Sequence, residues 1–150
     1  MTFLLRVLTA VLVLMLSFQV SPSLADEPGN NVAAVVQAHD DAYNAHDIRA
    51  FMETLASDAE IYEYPAKLLM KGVDQIRTFY QTKRFNDSRL HVTIVNRIVM
   101  GDVVVDHEKI AITYPEGPGR FEAIAIFEVR DSKIQKVTLV RGAKSLDSAR

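Results

Sequence analysis

Between residues 90 and 141 apolar and polar positions alternate over four long runs set apart by turn-forming residues. Residues 90–100 and 103–114 are rich in β-branched side chains and meet at Gly101-Asp102, a two-residue hairpin signal. Two prolines and two glycines in residues 115–119 predict a longer connection, because proline cannot donate to a central ladder. Residues 120–130 and 134–141, joined at Asp131-Ser132-Lys133, complete an antiparallel meander. The first three runs have about ten residues or more, against the usual five or six, and strands that long twist and coil. The pattern predicts a curved sheet whose concave side is the place to look for function.

Upstream the period lengthens from two to 3.6. Val32, Val35, Val36, His39, Tyr43 and His46 fall on one helical stripe with Asn31 as its cap. His39 then sits in the middle of an apolar face, while Asp40, Asp41 and Asn44 point elsewhere. Asp47 predicts the cap of a short helix over residues 48–55, with Phe51 and Leu55 inward. Residues 59–65 alternate as a strand, Ile61 and Glu63 on one face and Tyr62 and Tyr64 on the other. Residues 66–71 connect it to a third helix, 73–83, with Ile76, Phe79 and Tyr80 as its stripe. Three N-terminal helices packed on a curved, mostly antiparallel sheet make an α+β fold.

Parity assigns the strand faces. Phe121, Ala123, Ala125, Phe127 and Val129 are apolar throughout and belong against the helices. In residues 103–113 each face carries charge; the reading adopted is His107 inward and Asp106/Glu108 outward. Asn96 shares its face with Val92, Ile94, Ile98 and Met100, so it points into the core or cavity. Val137 and Leu139 face inward, with Arg141 on their side at the rim. The opposite face then collects Ile110, Ile112, Ile124 and Ile126 between Glu108, Glu122 and Glu128. A patch of that kind exceeds what a monomer normally exposes and predicts a homodimer.

The first 25 residues change the picture of where the protein works. Arg6 precedes an apolar stretch, residues 7–20, and Ser23-Leu24-Ala25 is a small-residue cleavage site, which together predict a signal peptide cut after Ala25. The apolar stretch is shorter than the roughly 18 residues that span a bilayer. The expected organisation is a leader (1–25), a flexible tether (26–31), one domain (32–142) and a C-terminal tail (143–150), in a secreted or periplasmic setting with no membrane attachment after cleavage. No cysteine is present, so the domain holds itself together by packing alone. Of 17 basic residues, losing Arg6 leaves 16 against 19 acidic ones, a net charge of −3. The two signs are interspersed, which excludes the electrostatic footprint of a nucleic-acid binder. There is no HExxH motif, no phosphate-binding glycine loop and no nucleophile elbow. His39, Asp40 and Asp41 are helix neighbours about 100° apart and cannot share one ion. Neither metal nor cofactor is expected.

Residues 45–51 (AHDIRAF), 59–65 (AEIYEYP) and 71–80 (KGVDQIRTFY), followed by the last strand pair, resemble the NTF2-like superfamily, in the branch of SnoaL-like proteins and ketosteroid isomerases. The resemblance covers about residues 32–141. It implies a cone-shaped roll enclosing an apolar pocket, a fold that hosts isomerases, cyclases, dehydratases and plain binders. Carried over by position, the isomerases' first-helix tyrosine falls on His39, their carboxylate base on Glu63 and their second acid on Ala125. One role is kept in type, one altered and one lost, which argues against steroid isomerase activity itself.

The expected partner is therefore a small apolar molecule. Glu63 is the candidate base and His39 the group facing the negative charge, the two in direct or one-water hydrogen-bonding contact. Tyr43, Asn96, His107, Ala125, Phe127 and Arg141 are the expected ligand-binding surroundings. The reaction class is proton transfer, as in isomerisation, dehydration or hydrolysis. The alternatives are a non-catalytic binder and an interaction module of the same fold. For His39 the bland reading is a satisfied core histidine, and for Glu63 a structural partner of His39 or Arg141.

Overall fold

The structure, a computed structural model, describes residues 28–147, with side chains described from Asn31 onward. The expected leader and its cleavage point lie outside those residues. The elements are α1 (Pro28–Asn44), α2 (Ile48–Glu53), β1 (Leu55–Glu63), β2 (Lys67–Lys71), α3 (Val73–Lys83), β3 (His91–Met100), β4 (Val103–Tyr114), β5 (Gly117–Arg130), β6 (Lys133–Arg141) and β7 (Ser145–Leu146). The sheet runs β2-β1-β6-β5-β4-β3, with β7 against the start of β5. Among the described residues only the β1–β6 pair is parallel. This is an α+β fold on a curved, mostly antiparallel sheet. Two helices precede the first strand and the third follows β2, so the helices do not form one N-terminal layer. Among the described residues no helix is long and apolar enough to cross a membrane.

Several boundaries differ from expectation for local reasons. Residues 28–31, expected in a tether, begin α1, so Asn31 lies inside the helix and caps nothing. Residues 67–71, expected as a connection, pair with β1 because Met70 is drawn into the core. Strand β5 starts at Gly117, with Pro118 opposite Thr113 near the ladder's end, where a missing donor costs least. A Cβ on Gly119 would lie 2.5 Å from the Ser145 carbonyl oxygen, so glycine there is what admits β7. Residues 145–146 of the expected tail are thus part of the sheet. At the β5–β6 hairpin Asp131 and Ser132 take φ of 52° and 56°, the left-handed pair that matches strand twist.

The core lies between the helices and the concave face. Phe51, Val36, Ile76, Val104 and Ile134 are fully buried, each stabilising the fold by roughly 1.5–3 kcal/mol. Helix α1 is tied to the sheet edge by Asn44, whose amide accepts from the Val92 N–H at 2.7 Å and donates to its carbonyl at 2.9 Å. Asn44 therefore faces the sheet, contrary to the stripe reading.

Two parity assignments are overturned, and they decide the site. A bulge between Ile94 and Asn96 shifts the β3 register by one residue. Beyond it every side chain changes face. Arg97 pairs opposite Asp106 and turns inward, while Asn96, opposite His107, turns outward. On β4 the inward set is Val104, Asp106, Glu108, Ile110 and Ile112, all buried. His107 points out and bonds Glu122 at 2.7 Å. The expected plane of four isoleucines does not exist, because Ile110 and Ile112 are core residues and only Ile124 and Ile126 face outward.

Candidate functional site

A cavity of about 80 Å³ lies between α1, α3 and the concave face. By the space a water molecule needs, that is roughly five to eight water positions, enough for a small molecule. Ile61, Ile110, Ile112 and Phe127 line its apolar side, and Ala123 and Ala125 floor it where larger side chains would fill it. Its polar lining comes from His39, Asp40 and Tyr43 on α1, Tyr80 on α3 and Glu108 on β4. Arg84, just past α3, and Arg141, at the end of β6, line it where side chains reach solvent.

Behind the wall stands a buried ionic cluster. Arg97 donates to both oxygens of Asp106 (2.7 and 2.6 Å), to Asp40 at 2.6 Å and to Gln37 at 2.9 Å. The Asp106 side chain is fully buried and that of Asp40 is 6 % exposed. Glu108 stands two residues on from Asp106, on the same face. One guanidinium cannot balance three carboxylates out of water, so protons are retained. Burial, then the charges of Asp106 and Asp41, raise the Asp40 pKa to about 7 against the opposing pull of Arg97. Burial, then Asp40 and Asp106, raise that of Glu108 to about 8. Near neutral pH, Glu108 is a proton donor and Asp40 is poised between acid and base.

His39 is neutral, its pKa lowered to about 3 by burial. Its Nδ1 lies 2.7 Å from the Thr54 hydroxyl, whose own proton goes to the Phe51 carbonyl at 2.7 Å. Thr54 must therefore accept, which puts the imidazole proton on Nδ1 and leaves Nε2 as an acceptor. No sealed side-chain nitrogen or oxygen lacks a partner among the described residues. Among the described residues nothing bonds Nε2, and His39, Tyr43 and Tyr80 all line the cavity, so this nitrogen and the two hydroxyls are open to it. Burial raises both phenol pKa values, that of Tyr80 to about 12, so both remain hydrogen-bond donors.

Of the residues the sequence singled out, His39, Tyr43, Ala125, Phe127 and Arg141 line the cavity, whereas Glu63, Asn96 and His107 do not. The expected Glu63–His39 contact is not formed. Glu63 shares a register row with Leu139, Ala125 and Asp106, but it stands three strand spacings, about 14 Å, from Asp106, with Lys67 of β2 on its other side. It faces Arg141 at 3.8 Å and Lys67 at 3.6 Å. Asp40, Glu108, Asp106 and Arg97 went unread. Their signal was present: turning the β4 acids inward also turns Val104, Ile110 and Ile112 inward, and it supplies Arg97 with partners.

The ligating atoms of Asp40, Asp106 and Glu108 lie within 4.8 Å of one another. Two of the three already bond Arg97, whose charge stands where a metal's would.

A curved sheet closing on helices around an apolar cavity with a buried acid cluster defines an α+β roll with an internal pocket. Residues 36–137 match the SnoaL-like domain family, and the chain belongs to it. No curated protein matches the chain. Among solved structures it is similar to an LEH-like epoxide hydrolase from Mycobacterium tuberculosis, at TM-score 0.66 and 18% identity over 77% of this chain and 86% of that one. It is similar to the M. tuberculosis protein RV0760c in complex with estradiol-17beta-hemisuccinate, at TM-score 0.65 and 16% identity over 73% and 92%. A third is a Catenulispora acidiphila protein with a ketosteroid isomerase-like fold, at 0.61 and 18% over 70% and 82%. At these identities the likeness is one of fold.

Proposed function

We propose that the protein is an exported enzyme that moves protons on a small apolar molecule, with Glu108 and Asp40 as its acid and base. The observation that carries this reading is a pair of buried carboxyl groups on the wall of an apolar cavity, Glu108 keeping its proton near neutral pH and Asp40 divided between its two forms. Glu108 gives its proton to a substrate oxygen, such as a carbonyl or an epoxide. Asp40 takes one from an adjacent carbon or from an attacking water. In isomerisation Asp40 returns its proton to the γ carbon while Glu108 takes back the one on oxygen; in epoxide hydrolysis the proton that Asp40 takes from water passes through a second water to Glu108, the carboxyl oxygens lying within 4.8 Å, so no net proton is gained or lost. Asp106 and Arg97 hold the pair in place, and the neutral His39 Nε2 accepts from a substrate hydroxyl or from water. Export rests on the leader-like residues 1–25. Self-association, if it uses the outer sheet face, would centre on Ile98, Val105 and Ile126, which share one outward row.

The test offers the purified protein a small alkyl epoxide and a β,γ-unsaturated ketone and follows diol and conjugated enone. Turnover of one, reduced by a hundredfold or more in Glu108→Gln, is the expected result. The steroid complex of RV0760c supports a second reading, a non-catalytic binder with the same pocket. Turnover unchanged in Glu108→Gln and Asp40→Asn, or no turnover at all, would favour that reading.

A further inference from the structure

The acid–base reading accounts for the inner wall of the cavity and leaves its outer end unexplained. Two guanidinium groups, Arg84 and Arg141, line the same small cavity. Arg84 makes no ion pair among the described residues; its guanidinium lies 5.3 Å from the Phe79 ring centroid. Arg141 has Glu63 at 3.8 Å, beyond hydrogen-bonding distance, and Glu63 is shared with Lys67. The charges of both arginines act on both the Tyr43 and Tyr80 phenols, so the four groups converge on one region. Each phenol opens on the cavity with an undirected hydroxyl. Among the described residues the acids near this set are Glu63, 3.8 Å from Arg141 and shared with Lys67, and Glu108, whose charge also acts on both phenols but which keeps its proton near neutral pH.

We propose that the ligand is a small apolar carboxylate, its acid group held by Arg84 and Arg141 with the Tyr43 and Tyr80 hydroxyls, and its body directed toward Glu108. The planar fork of a guanidinium matches a carboxylate oxygen for oxygen. The register supplies the track. Glu108 stands opposite Ala123, which stands opposite Arg141. The anion-binding and proton-donating groups are therefore on one face, two strand spacings or about 10 Å apart at the backbone. The intervening residue is an alanine, which leaves room for the ligand to lie across the strand. The cavity's volume limits that body to a short chain or one ring. The proposal rests on reading this cavity as the ligand site and adds the charge of what enters it.

Calorimetric titration at neutral pH with 3-phenylpropionate and with the neutral 3-phenylpropanamide tests it. The wild-type protein should bind the acid about tenfold or more tightly than the amide. Arg84→Gln and Arg141→Gln should each remove most of that preference, and Arg84→Glu should shift it toward 3-phenylpropylamine. Glu108→Gln should keep the acid preference even though it stops proton transfer, so a failure of the acid–base reading is seen separately from a failure of this one. Equal affinity for acid and amide, no binding of either, or a preference that survives both arginine-to-glutamine changes would each overturn the proposal.

Discussion

Arg97→Leu should lower the unfolding free energy by about 3–5 kcal/mol, enough to leave a domain of this size partly unfolded. The substitution strands Asp106, whose buried oxygens both accept from Arg97, and removes a partner of Asp40. A buried carboxylate without a partner must either stay charged in an apolar setting or take up a proton, and both cost stability. Arg97→Lys keeps the charge but cannot fork onto both Asp106 oxygens while reaching Asp40 and Gln37, so an intermediate loss of about 1–3 kcal/mol is expected. Adding Asp106→Leu to Arg97→Leu should recover part of the stability, because the stranded charge goes with it. Urea denaturation of the three variants checks the order. A wild-type midpoint for Arg97→Leu would mean that the cluster is not holding α1 against β3 and β4.

Stability should fall as pH rises from 6.5 to 9, by about 1–2 kcal/mol per unit, and level off above. The sign follows from the direction of the carboxyl shifts. Folded Asp40 and Glu108 keep protons up to about pH 7 and 8, against ordinary values of 3.8 and 4.5. Across the window the folded state binds more protons than the unfolded chain, so raising the pH favours unfolding. His39 works in the other direction. Its pKa is lowered from 6.5 to about 3, so its contribution is complete above pH 6.5 and is lost as pH falls toward 3. The range above 6.5 therefore isolates the two carboxyl groups. Glu108→Gln, which fixes the neutral form, should leave only the Asp40 step near pH 7, flatten the profile above pH 8 and equal or exceed wild-type stability at pH 8.5. Thermal melts across the range read this out; a flat wild-type profile would contradict the protonated pair.

The fold was legible because its main signals are local. The period of two from residue 90 to 141, the turn residues at Gly101 and Asp131, and the stripe on α3 each follow from backbone chemistry within a few residues. His39, Tyr43, Ala125 and Phe127 were readable for the same reason, since an apolar face points its members together. The cluster was not, because it depends on two facts that alternation cannot carry. One is the bulge beside Ile94, which inserts a residue and reverses the parity of Asn96 and Arg97 without any proline or glycine to mark it. The other is that buried charge is tolerated when partnered. Taken one strand at a time, Asp106 and Glu108 look like surface residues, and only Arg97 on the next strand and Asp40 on α1 make their burial possible. Glu63 misled for the converse reason. Its parity was right, but it is the last residue of β1, three strands away from Asp106, and Arg141 and Lys67 meet it there.

The central claim is that Glu108 holds a proton inside the cavity at neutral pH, and carboxyl-carbon NMR of glutamate-labelled protein tests it directly. The Glu108 resonance is identified as the one missing from Glu108→Gln, and its shift is followed from pH 4 to 10. The account predicts a midpoint near pH 8, driven first by burial and then by Asp40 and Asp106; a midpoint near the ordinary 4.5 would contradict it.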